Sequence, residues 1–179
     1  MHRSVSKEDK VAHTQDHFAN WLRDAHAMEE QAVTMLTAQA KRIENYPLLK
    51  ARIEQHLAET KDQVAALQTL LDKLPNRRMS MLKDVTGRLT ATLQVLGGAL
   101  TQDEVVKGAM AAYAFEHVEI ATYRVLIAAA DELGETEAQA VFERILEEEL
   151  AMASWLQHNL DDTTRLFLMR DERELQAKR

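Results

Sequence analysis

The sequence predicts an all-α fold, a four-helix bundle, on three observations. The 179 residues include only 5 glycines and 2 prolines, too few breakers for the many turns of a β-rich chain. Apolar residues recur at helical spacing through most of the length. The links between these periodic segments run short, long, short, which pairs the helices two by two.

Taken in order, residues 1–13 ("MHRSVSKEDKVAH") are polar and without pattern and read as an N-terminal arm; residues 14–179 form one domain, a length that buries a single core. The first helix is expected from about Thr14 to Glu44, with Phe18, Trp21, Leu22, Ala25, Val33, Leu36, Ala40 and Ile43 as its apolar stripe. "NYP" ends it, and Pro47 suits the first turn of the next helix, where its missing N–H costs little. The second helix runs from about Leu48 to Leu74, with Leu49, Ile53, Leu57, Val64, Leu67 and Leu71 inward. A separate amphipathic segment, "SMLKDVTGRLTATLQVL", ends at Gly97 and Gly98. Thr101 and Glu104 have the spacing of a capping box opening the third helix. That helix extends to Leu133, with Gly134 as its C-terminal cap. The fourth spans about Thr136 to Asn159, and the tail from Asp161 reads as a short final helix.

Tight turns join helices one and two, and three and four, so each pair is an antiparallel hairpin. The intervening segment of about 26 residues, at about 1.5 Å per residue, is long enough to cross most of a bundle about 40 Å long. Two hairpins joined by one long crossover containing a short helix is the ferritin-like arrangement.

Several polar residues fall inside the apolar stripes. Glu29 lies at the centre of the first; Glu116 and Glu119 straddle the centre of the third, with Tyr123 one turn on; Glu149 lies within the fourth. On the second helix the phase favours His56, near Thr60 and Gln63, while Glu59 is rotated toward the flank. Removing an ionised carboxylate from water costs several kcal/mol. Four such groups would approach the whole stability of a domain, about 5–15 kcal/mol. They must be protonated, wetted, paired with cations or bound to metal. Lys and Arg are nearly absent from the inner faces, which leaves metal as the economical remedy.

Composition narrows the alternatives. With no cysteine, disulfides, thiolate-held zinc, iron–sulfur clusters and thiol nucleophiles are excluded. A net charge of -7 argues against nucleic acid as a partner. No apolar run reaches the length of a membrane span and no signal-like segment follows the start, so no membrane association and a cytoplasmic location are expected.

The stretches "LRDAHAMEEQA", "HLAETKDQ", "AFEHVEIATYR" and "ILEEELAMASWL" resemble the YciE/YciF group of ferritin-like proteins, relatives of the rubrerythrins. The resemblance covers roughly Asp16 to Asn159. It implies a site of two iron ions, with manganese as the other fitting metal, in a bacterial homodimer associated with stress responses. Carried onto this sequence, its metal residues are Glu29, Glu59 with His56 beside it, Glu116, Glu119 and Glu149; whether His56 or Glu59 is the ligand on the second helix stays open. Ferritin-like sites generally carry Glu-x-x-His on two helices, whereas Asp62 and Met152 stand at those positions here. The reactions implied are oxidation of ferrous iron or reduction of peroxide, with dioxygen or peroxide as the small oxidant; no rubredoxin-like cysteine module supplies electrons. The alternative is a metal-poor dimeric helical bundle with a structural or interaction role.

Overall fold

A computed structural model describes residues 7–74, 102–173 and 175–177, with side chains from residue 12 onward. Four helices account for nearly all of them: α1 (Lys7–Arg42), α2 (Pro47–Lys73), α3 (Glu104–Leu133) and α4 (Thr136–Glu172). The chain is thus an all-α, ferritin-like bundle. The expected helix within residues 80–96 and the expected cap at Thr101 lie outside the described residues.

Local chemistry sets the helix ends. Pro47 occupies the first turn of α2, where its fixed φ suits the helix. At the other hairpin, Gly134 takes a left-handed φ of 69°. Its N–H bonds Asp131 O at 3.1 Å and that of Glu135 bonds Ala130 O at 2.9 Å, the paired bonds of a Schellman ending. α3 opens after Asp103, and Glu104 forms an ion pair with Arg42 of α1.

Two boundaries differ from the sequence reading. α1 begins at Lys7, so its first turns fall within residues 1–13. The separate short C-terminal helix is not observed: α4 continues unbroken through Asp161 to Glu172. Asn159 and Thr164, which look like loop residues, bond back onto the carbonyls of Trp155 and Leu160 at 2.8 Å each, so the helix carries its polar residues without opening. Leu166 and Phe167 then pack on the core.

Each hairpin is antiparallel, and across the bundle α1 packs on α3 and α2 on α4. Cross-contacts fix the directions. Met28 meets Thr122 while Arg42 meets Glu104; Gln63 meets Glu149 while Lys73 meets Glu137. The end of α2 and the start of α3 therefore lie at opposite ends of the bundle, the relation a lengthwise crossover requires. Among the described residues no helix is long and apolar enough to cross a membrane.

The core is divided in two. One apolar cluster holds Phe18, Leu22, Leu67, Leu126 and Phe142; the other holds Leu36, Ile43, Ile53, Val105 and Leu156. Between them, at mid-length, every helix contributes buried polar side chains.

Candidate metal centre

The polar band arises from one repeated spacing. On α1 the inner residues are Leu22, Ala25, Glu29, Ala32 and Leu36; on α4 they are Phe142, Ile145, Glu149, Met152 and Leu156. On α2 the row is Ile53, His56, Thr60, Gln63 and Leu67, and on α3 it is Ala112, Glu116, Glu119 and Tyr123. Steps of three and four residues keep each row on one helix face. The polar residues are therefore held inward by the same packing that holds their apolar neighbours.

Five acid or imidazole groups meet there: Glu29, His56, Glu116, Glu119 and Glu149 are each no more than 1% exposed. His56, Glu116, Glu119 and Glu149 each offer a ligand atom within 4.8 Å of the others. His56 Nε2 lies 3.3 Å from Glu149 Oε2 and 3.4 Å from Glu116 Oε2. Glu29 borders this group and accepts a 2.5 Å hydrogen bond from the Tyr123 hydroxyl. Gln63 Nε2 donates to Glu149 Oε1 at 2.7 Å.

The second helix carries its two candidates at different depths. His56 faces the buried carboxylates, while Glu59 stands behind it, with its Oε2 3.0 Å from His56 Nδ1. Arg52 and Gln55 also bond Glu59, at 3.1 Å and 2.8 Å. This is the relation of a carboxylate that fixes the ring of a ligating histidine. The order along the chain is His-x-x-Glu, the reverse of Glu-x-x-His, and so the imidazole takes the deeper place.

Burial sets the protonation. It pushes Glu29 up to about 8, helped by the charge of Glu149. Burial also pushes Glu116 to about 7, against the opposing pull of His56, and drives Glu119 well above the carboxylate range, with Glu29 and Glu149 adding to the rise. For His56, burial opposes the charge, but contacts with Glu116 and Glu149 outweigh it and raise the ring to about 11. Glu59 goes the other way: burial would raise it, yet His56, Gln55 and Arg52 hold it below its ordinary value.

Even so, apart from the ion-pair contacts of His56 with Glu116 and Glu149, the oxygens lack partners. Glu29 Oε2, Glu116 Oε2, both oxygens of Glu119 and Glu149 Oε2 are buried with no hydrogen bond among the described residues. No Lys or Arg among them pairs with these four carboxylates. A buried, unsatisfied acceptor costs about 1–3 kcal/mol, and a hard divalent cation satisfies several at once. One imidazole among carboxylates fits iron or manganese, so the residues present suit the metal that the resemblance implies.

All six residues singled out from the sequence lie in or against this band, Glu59 in the outer position. Sequence reasoning missed the role of Gln63, whose inward phase was visible but whose contacts with Glu148 and Glu149, 85 and 86 residues away, were not. Tyr123, one turn beyond Glu119 and fully buried, bonds Glu29 through its hydroxyl.

The comparisons with known proteins agree with this architecture. Residues 13–169 match the family described as "Domain of unknown function (DUF892)". Protein YciF of Escherichia coli (strain K12) is 30% identical over 141 residues, covering 76% of this chain and 84% of that protein. A solved structure from Xanthomonas campestris pv. campestris is 40% identical with a TM-score of 0.70, covering 89% of this chain and 99% of the other. The solved E. coli stress protein YciF superposes with a TM-score of 0.71 at 25% identity, covering 83% and 95%.

Proposed function

The chain belongs to the YciE/YciF family of ferritin-like proteins, DUF892, and from that premise we propose that it is a dinuclear iron-carboxylate protein. Its reaction is the oxidation of ferrous iron or the reduction of peroxide. The carrying observation is the set of buried oxygens without hydrogen bonds that converges from α1, α3 and α4 around His56 of α2.

In this reading Glu116, Glu119, Glu149 and His56 hold metal, with Glu29 completing the shell from α1. Bound iron supplies the electrons and Lewis acidity for oxidant chemistry. The protein's own groups set the conditions. Glu59 fixes the His56 ring, Tyr123 fixes one oxygen of Glu29, and Gln63 fixes one oxygen of Glu149. The apolar clusters on both sides keep bulk water away. Protons held by Glu29, Glu119 and His56 leave as metal enters, because a carboxylate ligates in its ionised form and an imidazole in its neutral one.

The E. coli relative is a stress protein, and we extend that setting to this chain. We also propose a homodimer: Met110, Val118 and Val125 of α3 and Trp21 of α1 are exposed apolar side chains that a second copy would cover.

The experiment is metal analysis after mild purification, with anomalous scattering at the iron and manganese edges. About two ions per chain are expected, and Glu116→Ala should lose them without unfolding. A second reading, a metal-poor structural bundle, draws on Asp62 and Met152 standing where histidines are usual. Metal-free protein in iron-replete cells would favour it.

A further inference from the structure

The buried carboxylates lie at 0–1% exposure, so an ion reaches them only by passing between helices. Of the four neighbouring helix pairs, α2 and α4 touch least. An open groove of about 640 Å³ lies along that seam, lined by Arg52, Gln55 and Glu59 on one wall and Arg144, Glu148 and Trp155 on the other. The hollow on the α1–α3 side is different in kind: Trp21, Val118, Ala121 and Val125 dominate it, with Asp24 and His117 as its ionisable residues.

Only one layer of side chains separates the α2–α4 groove from the buried group. Glu59 lines the groove and touches His56 at 3.0 Å. Glu148 also lines it and accepts from Gln63 Nε2 at 2.8 Å, while the same nitrogen donates to buried Glu149 at 2.7 Å. Gln63 thus spans the wall, is itself fully buried, and keeps its Oε1 without a partner. On the groove side, Arg52 pairs with Glu59 at 3.1 Å and Arg144 with Glu148 at 2.7 Å. Glu59 and Glu148, the two carboxylates in contact with the inner wall, are therefore each held by an arginine that an ion would displace.

We infer that the α2–α4 groove is the entrance through which a divalent cation reaches the centre, with Glu59 and Glu148 handing it inward and Gln63 as the gate. This rests on the proposed metal reading and adds the route. A hydrated ion sheds water reluctantly. Successive carboxylates replace that water stepwise, and the carboxamide of Gln63 must swing from Glu149 for the ion to pass.

The test mixes metal-stripped full-length protein with Co²⁺ and follows its visible absorption by stopped flow, with equilibrium uptake measured in parallel. Ala51→Trp and Ala151→Trp place an indole in the groove from opposite walls, at exposed residues outside the centre. Each is expected to slow loading about tenfold or more, as gated access predicts, with unchanged final uptake. Gln63→Ala is expected to speed both loading and release, and Ala121→Trp on the α1–α3 side to change neither. Helical circular dichroism identifies any variant that misfolds, and the other plug then decides. Wild-type loading rates in the plugged variants, or slowing by Ala121→Trp, would overturn the route while equilibrium uptake stays intact. A wild-type protein that takes up no Co²⁺ at equilibrium would overturn the metal reading and the route together.

Discussion

Replacing Glu119 by leucine sets the stability of the metal-free bundle against its capacity for metal. Both oxygens of Glu119 are buried without hydrogen bonds, and burial drives its proton affinity far up. An unsatisfied buried polar group costs about 1–3 kcal/mol. Leucine is of similar bulk and nearly equal helix propensity, and burying it is favourable by about 1.5–3 kcal/mol. Imperfect fit in a packed core takes back up to about 1.5 kcal/mol, so a net stabilisation of about 2 kcal/mol is expected for Glu119→Leu without metal. In a domain of this size that raises Tm by about 4–8 °C. Ion binding reverses the order: at a free metal concentration 100-fold above Kd the wild type gains about 2.7 kcal/mol, and the variant gains almost nothing. Thermal melts of both proteins, with chelator and with Fe²⁺ under anaerobic conditions, give all four values. A Glu119→Leu protein less stable than wild type in chelator would show that Glu119 has a structural partner and sink the reasoning.

Other expectations follow from the same geometry. Glu29 and Glu116 are raised to about 8 and about 7 from an ordinary 4.5, so the folded metal-free chain holds protons there that the unfolded chain has released. His56, raised from 6.5 to about 11, acts in the same direction. The carboxyl contribution is complete below about pH 4.5 and lost through pH 7–8; that of His56 is complete below about 6.5 and lost toward 11. Urea titrations of chelated protein should therefore show stability falling from pH 5 to pH 8. Metal binding should release about three protons per chain at pH 7, from Glu29, Glu119 and His56, read as a dependence of calorimetric heat on buffer ionisation enthalpy; zero release would contradict the protonated state. Tyr123→Phe removes the hydroxyl from Glu29 Oε1 and should cost the metal-free protein about 1–3 kcal/mol in urea unfolding. Gly134→Ala forces a Cβ into a left-handed turn and should lower stability by about 1–2 kcal/mol, with metal uptake unchanged.

The fold was legible because its signals are local. Pro47 and Gly134 mark the two hairpin turns by their own backbone chemistry. The inner stripes were legible in outline, since Leu22, Ile53 and Ile145 are fully buried. Errors came at stripe edges. The stripe places Trp21 inside, yet it is 39% exposed, whereas Met28 and Ala32, which the stripe leaves out, are buried. A stripe read at 100° per residue drifts against neighbours that follow a three-four pattern. The pattern alone ends α4 near Asn159, because the polar run after it gives no sign that Asn159 bonds back onto the Trp155 carbonyl and that the helix continues. At the site, depth was readable from phase, which favoured His56 over Glu59. Partnership was not: the ties of Gln63 to Glu148 and of Tyr123 to Glu29 join positions 85 and 94 residues apart, and nothing in one helix's pattern encodes its neighbour's register.

The split core has a mechanical consequence. Each apolar cluster knits its own end of the rods, and the waist between them is acidic, with little cohesion of its own. An ion gripped there from all four rods would act as a crossbrace, making the two ends open together rather than separately. Amide exchange would register this as protection that is uneven between the ends without metal and nearly uniform once it is bound.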